Sequence, residues 1–196
     1  MLCVTIEVTP ATPDRWPDVE TVFGVRGDPS SCWCQYFRLR GKAWSDAEPL
    51  SLRDSLRAQL YDDPPPGVIA YDDGEPAGWC ATAPRASYPR VLASPNWRSD
   101  AGDATWVVTC FVVRPGHRRH GIAATLLTGA LDLATAHGAT TAEACAVDTT
   151  ESGRVPSADL YRGPLSVYLA AGFTVVRRSS PAWVLVRRPL GAEPVG

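Results

Sequence analysis

No apolar run in this 196-residue chain approaches the length of a membrane span. The first residues also lack the charged start and apolar core of a signal peptide, so a cytosolic protein with no membrane partner is expected. Neither sign of charge is in excess, since 19 Lys and Arg stand against 21 Asp and Glu. A broad basic face for nucleic acid needs many clustered cations, so no nucleic-acid partner is expected. There is no internal repeat and no low-complexity tract. Metal ligands are too few in any one place: Cys32-Trp33-Cys34 has no companion Cys-x-x-Cys or His pair, and a structural zinc needs four ligands. No metal is expected.

What remains is the profile of a globular protein long enough for one substantial core, read as a single domain over residues 1–196. The six cysteines (Cys3, Cys32, Cys34, Cys80, Cys110 and Cys145) are even in number, but a chain of this length needs no disulfide staples. Cys80, Cys110 and Cys145 sit in apolar runs, where a thiol acts as a small buried hydrophobe, and reduced thiols are expected.

Periodicity gives an α/β order. Residues 2–8 alternate as a strand, and Val19, Val22 and Phe23 have helical spacing. Residues 31–37 are aromatic and hard to assign. Ser51, with Asp54 in the capping-box position, opens a helix with a stripe of Leu52, Leu56 and Leu60. Residues 68–71 and 75–81 read as a hairpin turning at Asp73-Gly74. The unbroken apolar run 106–113 suits a strand buried on both faces. A helix follows over residues 122–137, with Gly138 as its stop, then a strand at 141–147. A loose segment, 148–159, leads to a helix carrying Leu165, Tyr168 and Leu169, and then to a strand pair at 173–178 and 183–187.

The chemistry-bearing stretch is the loop between the 106–113 strand and the next helix. Arg114, Arg118 and Arg119, with His117 and His120, crowd one turn that also holds Gly116 and Gly121. The first turn of a helix offers unpaired N–H groups and the positive end of the dipole, and a glycine at its mouth lets an anion approach the backbone. A phosphate or pyrophosphate site is one reading; a solvated basic turn is the other. The P-loop and the dinucleotide fingerprint are both absent.

The run Arg118-Arg119-His120-Gly121-Ile122-Ala123 resembles the GNAT N-acetyltransferase signature of Gln or Arg, two residues, Gly, one residue, Gly or Ala. Downstream, Tyr168-Leu169-Ala170-Ala171-Gly172-Phe173 resembles the family's closing Tyr, three residues, Gly-Phe, followed by a strand pair. The likeness is firm over about residues 104–188 and weak before residue 68. It implies a mixed, mostly antiparallel sheet of six to seven strands flanked by helices, with the fourth and fifth strands splayed apart. It further implies an acceptor-side half over about residues 1–100 and a CoA-binding half over about 104–188.

The resemblance also implies a reaction, transfer of acetyl from acetyl-CoA to a small-molecule or peptide amine by direct attack. The pantetheine arm would lie along Phe111, Val112 and Val113, and the amides of Arg118, Arg119, His120, Gly121, Ile122 and Ala123 would hold the pyrophosphate. The N–H of Phe111 or Val112 is the candidate oxyanion donor. Tyr168 falls on the family's acid position, and a phenol of pKa about 10 can donate to a thiolate whose thiol has pKa about 8.5. For the base, Glu143, Asp148 and water are candidates. Trp33, Tyr36 and Phe37 are candidates for a wall of the acceptor pocket, against the alternative of plain core. An acyl-enzyme through Cys110 is not expected, because a thiol in apolar surroundings is a poor nucleophile. A catalytically degenerate acyl-CoA sensor and an unrelated phosphate binder are the competing readings. Dimers are common in the family, but nothing in the sequence locates an interface.

Overall fold

The computed structural model describes residues 5–150 and 157–191. Its strands are β1 (Ile6–Pro10), β2 (Gly67–Asp72), β3 (Glu75–Pro84), β4 (Thr105–Val113), β5 (Thr141–Val147), β6 (Thr174–Arg178) and β7 (Trp183–Pro189). They form one seven-stranded sheet in the order β1-β2-β3-β4-β5-β7-β6. Every pair is antiparallel except β4–β5, which runs parallel and is joined by a helical crossover. The expected α/β architecture is therefore present, with seven strands. The start of the expected first strand, including Cys3, lies outside the described residues. Asp73 and Gly74 both take positive φ (50° and 83°), the geometry of a tight primed turn joining β2 and β3.

The helices are α1 (Trp16–Phe23), α2 (Asp28–Cys32), α3 (Lys42–Ser45), α4 (Pro49–Gln59), α5 (Pro89–Ala93), α6 (Ile122–Ala136) and α7 (Leu165–Ala170). The sheet has a different cover on each face. On one lies α6, whose Ile122, Leu126, Leu127 and Leu131 are buried together with Trp106, Val108 and Phe111 of β4 and Tyr168 of α7. On the other, Trp16, Val19, Trp33, Leu52 and Leu56 pack on Ile69, Trp79 and Cys110. The same face continues over β5 and β7, where Phe37, Tyr88, Val91 and Trp97 cover Val107, Cys145 and Leu185. Burial of this apolar area is the main stabilising term.

Two local expectations change. Helix α4 opens at Pro49, with Glu48 before it, rather than at Ser51, and no side chain caps it. Proline at the first helical position is already set at helical φ and has no N–H to satisfy, so the start needs no capping box. Leu169 is exposed, whereas its neighbour Tyr168 is fully buried. The short α5 and the 3₁₀ turn Pro95–Trp97, both absent from the sequence reading, close the far face.

Close approach of α6 to the sheet depends on Gly78. A Cβ there would lie 2.9 Å from Ile122 Cγ2, 3.0 Å from Leu126 Cδ1 and 3.2 Å from the Val112 carbonyl. Overpacking of a tight core costs about 1–3 kcal/mol. Gly78→Ala should therefore lower unfolding free energy by about 2 kcal/mol in a denaturant titration, and an unchanged midpoint would contradict this packing.

Candidate active site

Strands β4 and β5 are in register from Thr105↔Thr141 to Val108↔Ala144 and pair no further, though each strand continues. The parting coincides with a β-bulge. On β3, Ala81 and Thr82 are adjacent, but their β4 partners are Cys110 and Val108, so Thr109 is the extra residue. A bulge bends a strand and sharpens its twist, which turns the end of β4 away from β5. It also resets the side-chain alternation. Val107 and Cys110 share one face, while Val108 and Phe111 share the other. Between the strand ends is a cleft whose β4 side has no strand partner.

Which β4 groups face the cleft follows from the ladder. The Arg114 amide donates to the Ala77 carbonyl (2.9 Å). In antiparallel pairing alternate residues bond the same neighbour, so Val112 turns its amide and carbonyl to β3. Phe111 and Val113 turn theirs to the cleft. Of the two candidate oxyanion donors, Phe111 is the one whose N–H faces it.

At the end of β4 the basic loop forms a backbone cradle. Gly116, Arg119 and Gly121 have positive φ (95°, 69° and 85°), and a Cβ at Gly116 or Gly121 would meet nothing within 4 Å. Among the described residues, the amides of residues 118–123 make no hydrogen bond of good geometry to a protein acceptor, while those of Ala124 and Thr125 bond the Gly121 carbonyl. Amides that bond no described acceptor at good geometry thus stand at the positive end of a 15-residue helix. Arg118 Nε donates to the Val113 carbonyl (3.2 Å), and Arg119 is exposed. Ile122 contributes only its backbone here, since its side chain is in the core.

The two loop histidines have a partner that no sequence signal indicated. His117 Nδ1 and His120 Nδ1 both bond Asp72 Oδ2, at 2.8 and 3.2 Å. These contacts hold the Asp72 carboxyl below the usual carboxylate range, His117 contributing most. Asp72 ends β2, 45 residues from His117, and ties the cradle to the sheet. Among the described residues no group of three or more His, Cys, Asp or Glu is gathered as metal ligands would be.

Tyr168 lies at the other side of the cleft. Its ring packs on Phe111 (6.2 Å between centroids) and Phe173 (5.2 Å), and its hydroxyl donates to the Arg162 carbonyl at 2.7 Å. Burial pushes its pKa well above the ordinary phenol value. A strap of chain connects it to β5, with the Val147 amide donating to the Gly163 carbonyl (3.0 Å). Gly163 has φ 82°, and a Cβ on it would lie 2.9 Å from the Phe111 ring. Glycine is required there on both counts.

Of the candidate bases, Glu143 is completely buried on β5, opposite Arg187. Its Oε1 accepts from Ser99 Oγ (2.6 Å) and Arg187 Nε (2.9 Å). It sits in the paired part of β4–β5, so the structure separates it from the cleft residues. Asp148, just past β5, accepts from the Thr150 amide (3.0 Å) and hydroxyl (2.6 Å) and pairs with Arg178 (2.8 Å). Thr150 first, and then Arg178, bring its pKa down to about 2. A carboxylate whose folded pKa lies below its unfolded value adds stability above the unfolded pKa and loses it as pH falls through the folded one. Asp148→Asn should therefore reduce stability at pH 7 and flatten its dependence between about pH 4 and pH 2. Parallel acid-unfolding curves for the two proteins would contradict this role.

Trp33 is core, stacked on Phe23 at 4.9 Å, whereas Tyr36 and Phe37 do line a cavity, together with Arg90 and Arg162. Cys32, Cys34, Cys80, Cys110 and Cys145 are free thiols. Burial raises Cys32 to about 12, and a hydrogen bond donated by the Cys34 thiol to Cys110, with burial, raises Cys34 well above the usual value, so neither is a ready thiolate.

A cleft opened by a β4 bulge, beside an amide cradle at a helix start, is the setting in which the family comparison falls. The family model described as Acetyltransferase (GNAT) family matches residues 32–163, and the chain belongs to that family. Solved structures share the fold at low identity. The GNAT domain of PAT from S. lividans is 20% identical with a TM-score of 0.58, covering 94% of this chain and 90% of its own. PaiA N-acetyltransferase from Thermoplasma acidophilum, solved in complex with coenzyme A, is 11% identical at TM-score 0.54, covering 94% and 99%. YncA from Salmonella typhimurium, solved with its cofactor acetyl-CoA, is 14% identical at TM-score 0.53 and covers 96% of each chain. No curated protein matches the chain.

Proposed function

We propose that this acetyltransferase moves the acetyl group of acetyl-CoA to an amine by direct attack within a ternary complex. The observation that carries the reading is the cradle, six backbone donors with no bond of good geometry to a described acceptor, at the start of α6 and continuous with the unpaired edge of β4. Diphosphate fits such a donor set, and Arg118 and Arg119 add charge-assisted contacts. The cleft edge of β4, at Phe111 and Val113, offers strand-like pairing to the amide-bearing pantetheine arm. Family membership supports the same donor, as do the coenzyme A and acetyl-CoA bound by PaiA and YncA.

The chain's own groups then divide the chemistry. The Phe111 N–H is aimed where the thioester oxygen gains charge, the arrangement that stabilises an oxyanion. The Tyr168 phenol keeps its proton through neutral pH and is the donor to the departing thiolate. To reach it, the hydroxyl must release the Arg162 carbonyl. Water takes the amine's proton. Asp148 is too weak a base at a pKa of about 2, and Glu143 is locked beside Arg187. Residues up to about 100 form the acceptor-side half and residues 104–188 the CoA-binding half in this reading.

Calorimetric titration with acetyl-CoA, using ATP as control, tests the donor site. Micromolar binding to acetyl-CoA and none to ATP is expected. Binding of ATP alone would make the cradle a site for some other phosphate ligand.

A further inference from the structure

Beside the cleft, on the face covered by α1 and α5, lies a cavity of about 290 Å³ lined by Tyr36, Phe37, Arg40, Arg90 and Arg162 among others. Three of its lining residues are arginines, and among the described residues none of the lining is acidic. Among the described residues, none of the three arginines forms an ion pair with a carboxylate. Arg90 is fixed by carbonyls instead, its Nε donating to Tyr36 O (2.6 Å) and Leu39 O (3.0 Å), with its guanidinium 4.1 Å over the Tyr36 ring. Arg162 is stacked 3.9 Å over Trp183 and donates from Nε to the Tyr161 hydroxyl (2.9 Å). Its NH1 nitrogen is buried and, among the described residues, has no hydrogen-bond partner.

Guanidinium groups held in place by stacking and by backbone carbonyls, with donors left over, are pre-arranged for an anion. The cavity is also tied to the reacting centre through one residue. The Arg162 carbonyl accepts the Tyr168 hydroxyl, while its side chain reaches the cavity. Phe37 packs beside Cys145 of β5 and Val107 of β4, on the face opposite Phe111. An amine entering here would approach the cleft from the side away from α6.

We propose that the acceptor is a small amine that also carries an anionic group, a carboxylate or a phosphate, held by Arg40, Arg90 and Arg162. This rests on the acetyl-transfer reading above and names its substrate class. The surplus positive charge has two consequences. It favours the neutral, nucleophilic form of the amine, which suits a site where, among the described residues, no carboxylate base faces the cleft. It also repels amines carrying a second cation, so polyamines are poor acceptors.

The test follows CoA release by the full chain with matched acceptors: phosphoethanolamine against ethanolamine, glutamate and alanine against alaninamide, and putrescine as the dication. The anionic members are expected to lead in kcat/KM by about 30-fold, the worth of a charge-assisted hydrogen bond pair. The phosphate and carboxylate arms show which anion is preferred. Arg162→Gln should shrink that lead about tenfold through the acceptor KM, with the acetyl-CoA KM unmoved. Arg40→Gln, on an exposed residue whose change does not threaten the fold, should act the same way. Ethanolamine or putrescine equalling the anionic amines would overturn the proposal, as would a lead that both variants leave intact. A panel that does not react while acetyl-CoA still binds would overturn it and leave the donor site standing. Failure to bind acetyl-CoA at all would sink both readings.

Discussion

Gly121→Glu should weaken acetyl-CoA binding by more than about 100-fold while the protein stays folded. The two effects of the substitution fall on different observables. Gly121 has φ 85° as the residue preceding α6, so any side chain there adds left-handed strain of about 1–2 kcal/mol, which registers as a lower melting temperature. A Cβ at this position meets nothing within 4 Å, so no packing is lost beyond that strain. Affinity falls for another reason. The new carboxylate stands in the mouth of the cradle, against the diphosphate that the six amides are proposed to hold. Two unit charges about 6 Å apart in a surface-like environment of effective dielectric about 20 repel by about 3 kcal/mol. Gly121→Ala adds the strain without the charge and should keep affinity within about tenfold. Calorimetry on the three proteins separates the cases. If the glutamate variant binds acetyl-CoA as tightly as its parent, the diphosphate does not sit at this loop, and the donor half of the mechanism goes with it.

Where the fold was legible, the sequence carried a local physical signal. The run around Val108 and Phe111 is apolar but for Thr109 because β4 is covered on both faces, by α6 and by the aromatic helices. Ile122, Leu126, Leu127 and Leu131 repeat at helical spacing because they form one buried stripe. The strand β5 begins and ends at the expected residues, between the turn at Gly138 and the polar Asp148. The cradle was legible for a related reason: glycines at Gly116 and Gly121 mark positive φ, and the arginines between them mark the charge.

The rest depends on distance in sequence. Nothing near Asp72 announces that it will clamp two histidines 45 and 48 residues away. The bulge at Thr109 has no glycine or proline to signal it, because it arises from the mismatch of β3 and β4 around Ala81. The arginine cavity gathers side chains from three separate segments, and each alone reads as a solvated surface residue. Glu143 is the converse case. A lone carboxylate in an apolar strand suggests chemistry, but its pairing with Ser99 and Arg187 requires the β5–β7 register to be known.

Tyr168→Phe should lower kcat by about 100-fold and leave the dissociation constant for acetyl-CoA nearly unchanged. The hydroxyl is the only part removed, and the ring contacts with Phe111 and Phe173 remain. Some stability is lost as well, about 1 kcal/mol, because the Arg162 carbonyl loses its donor. That loss does not account for the rate. Turnover measured well below the melting temperature reports the proton transfer, and a proton donor to a leaving group contributes about 10²–10⁴-fold. The pH profile adds a second check. Because burial holds the phenol well above its ordinary value, its proton is still in place when free CoA thiol, of pKa about 8.5, is already ionising. Wild-type kcat should therefore show no alkaline fall from Tyr168 below about pH 10. A fall near pH 8 that disappears in the phenylalanine variant would mean the phenol titrates far lower than its surroundings dictate. A kcat equal to the parent's in Tyr168→Phe would remove Tyr168 from the reaction altogether, and the thiolate would then have to leave unprotonated or take its proton from water.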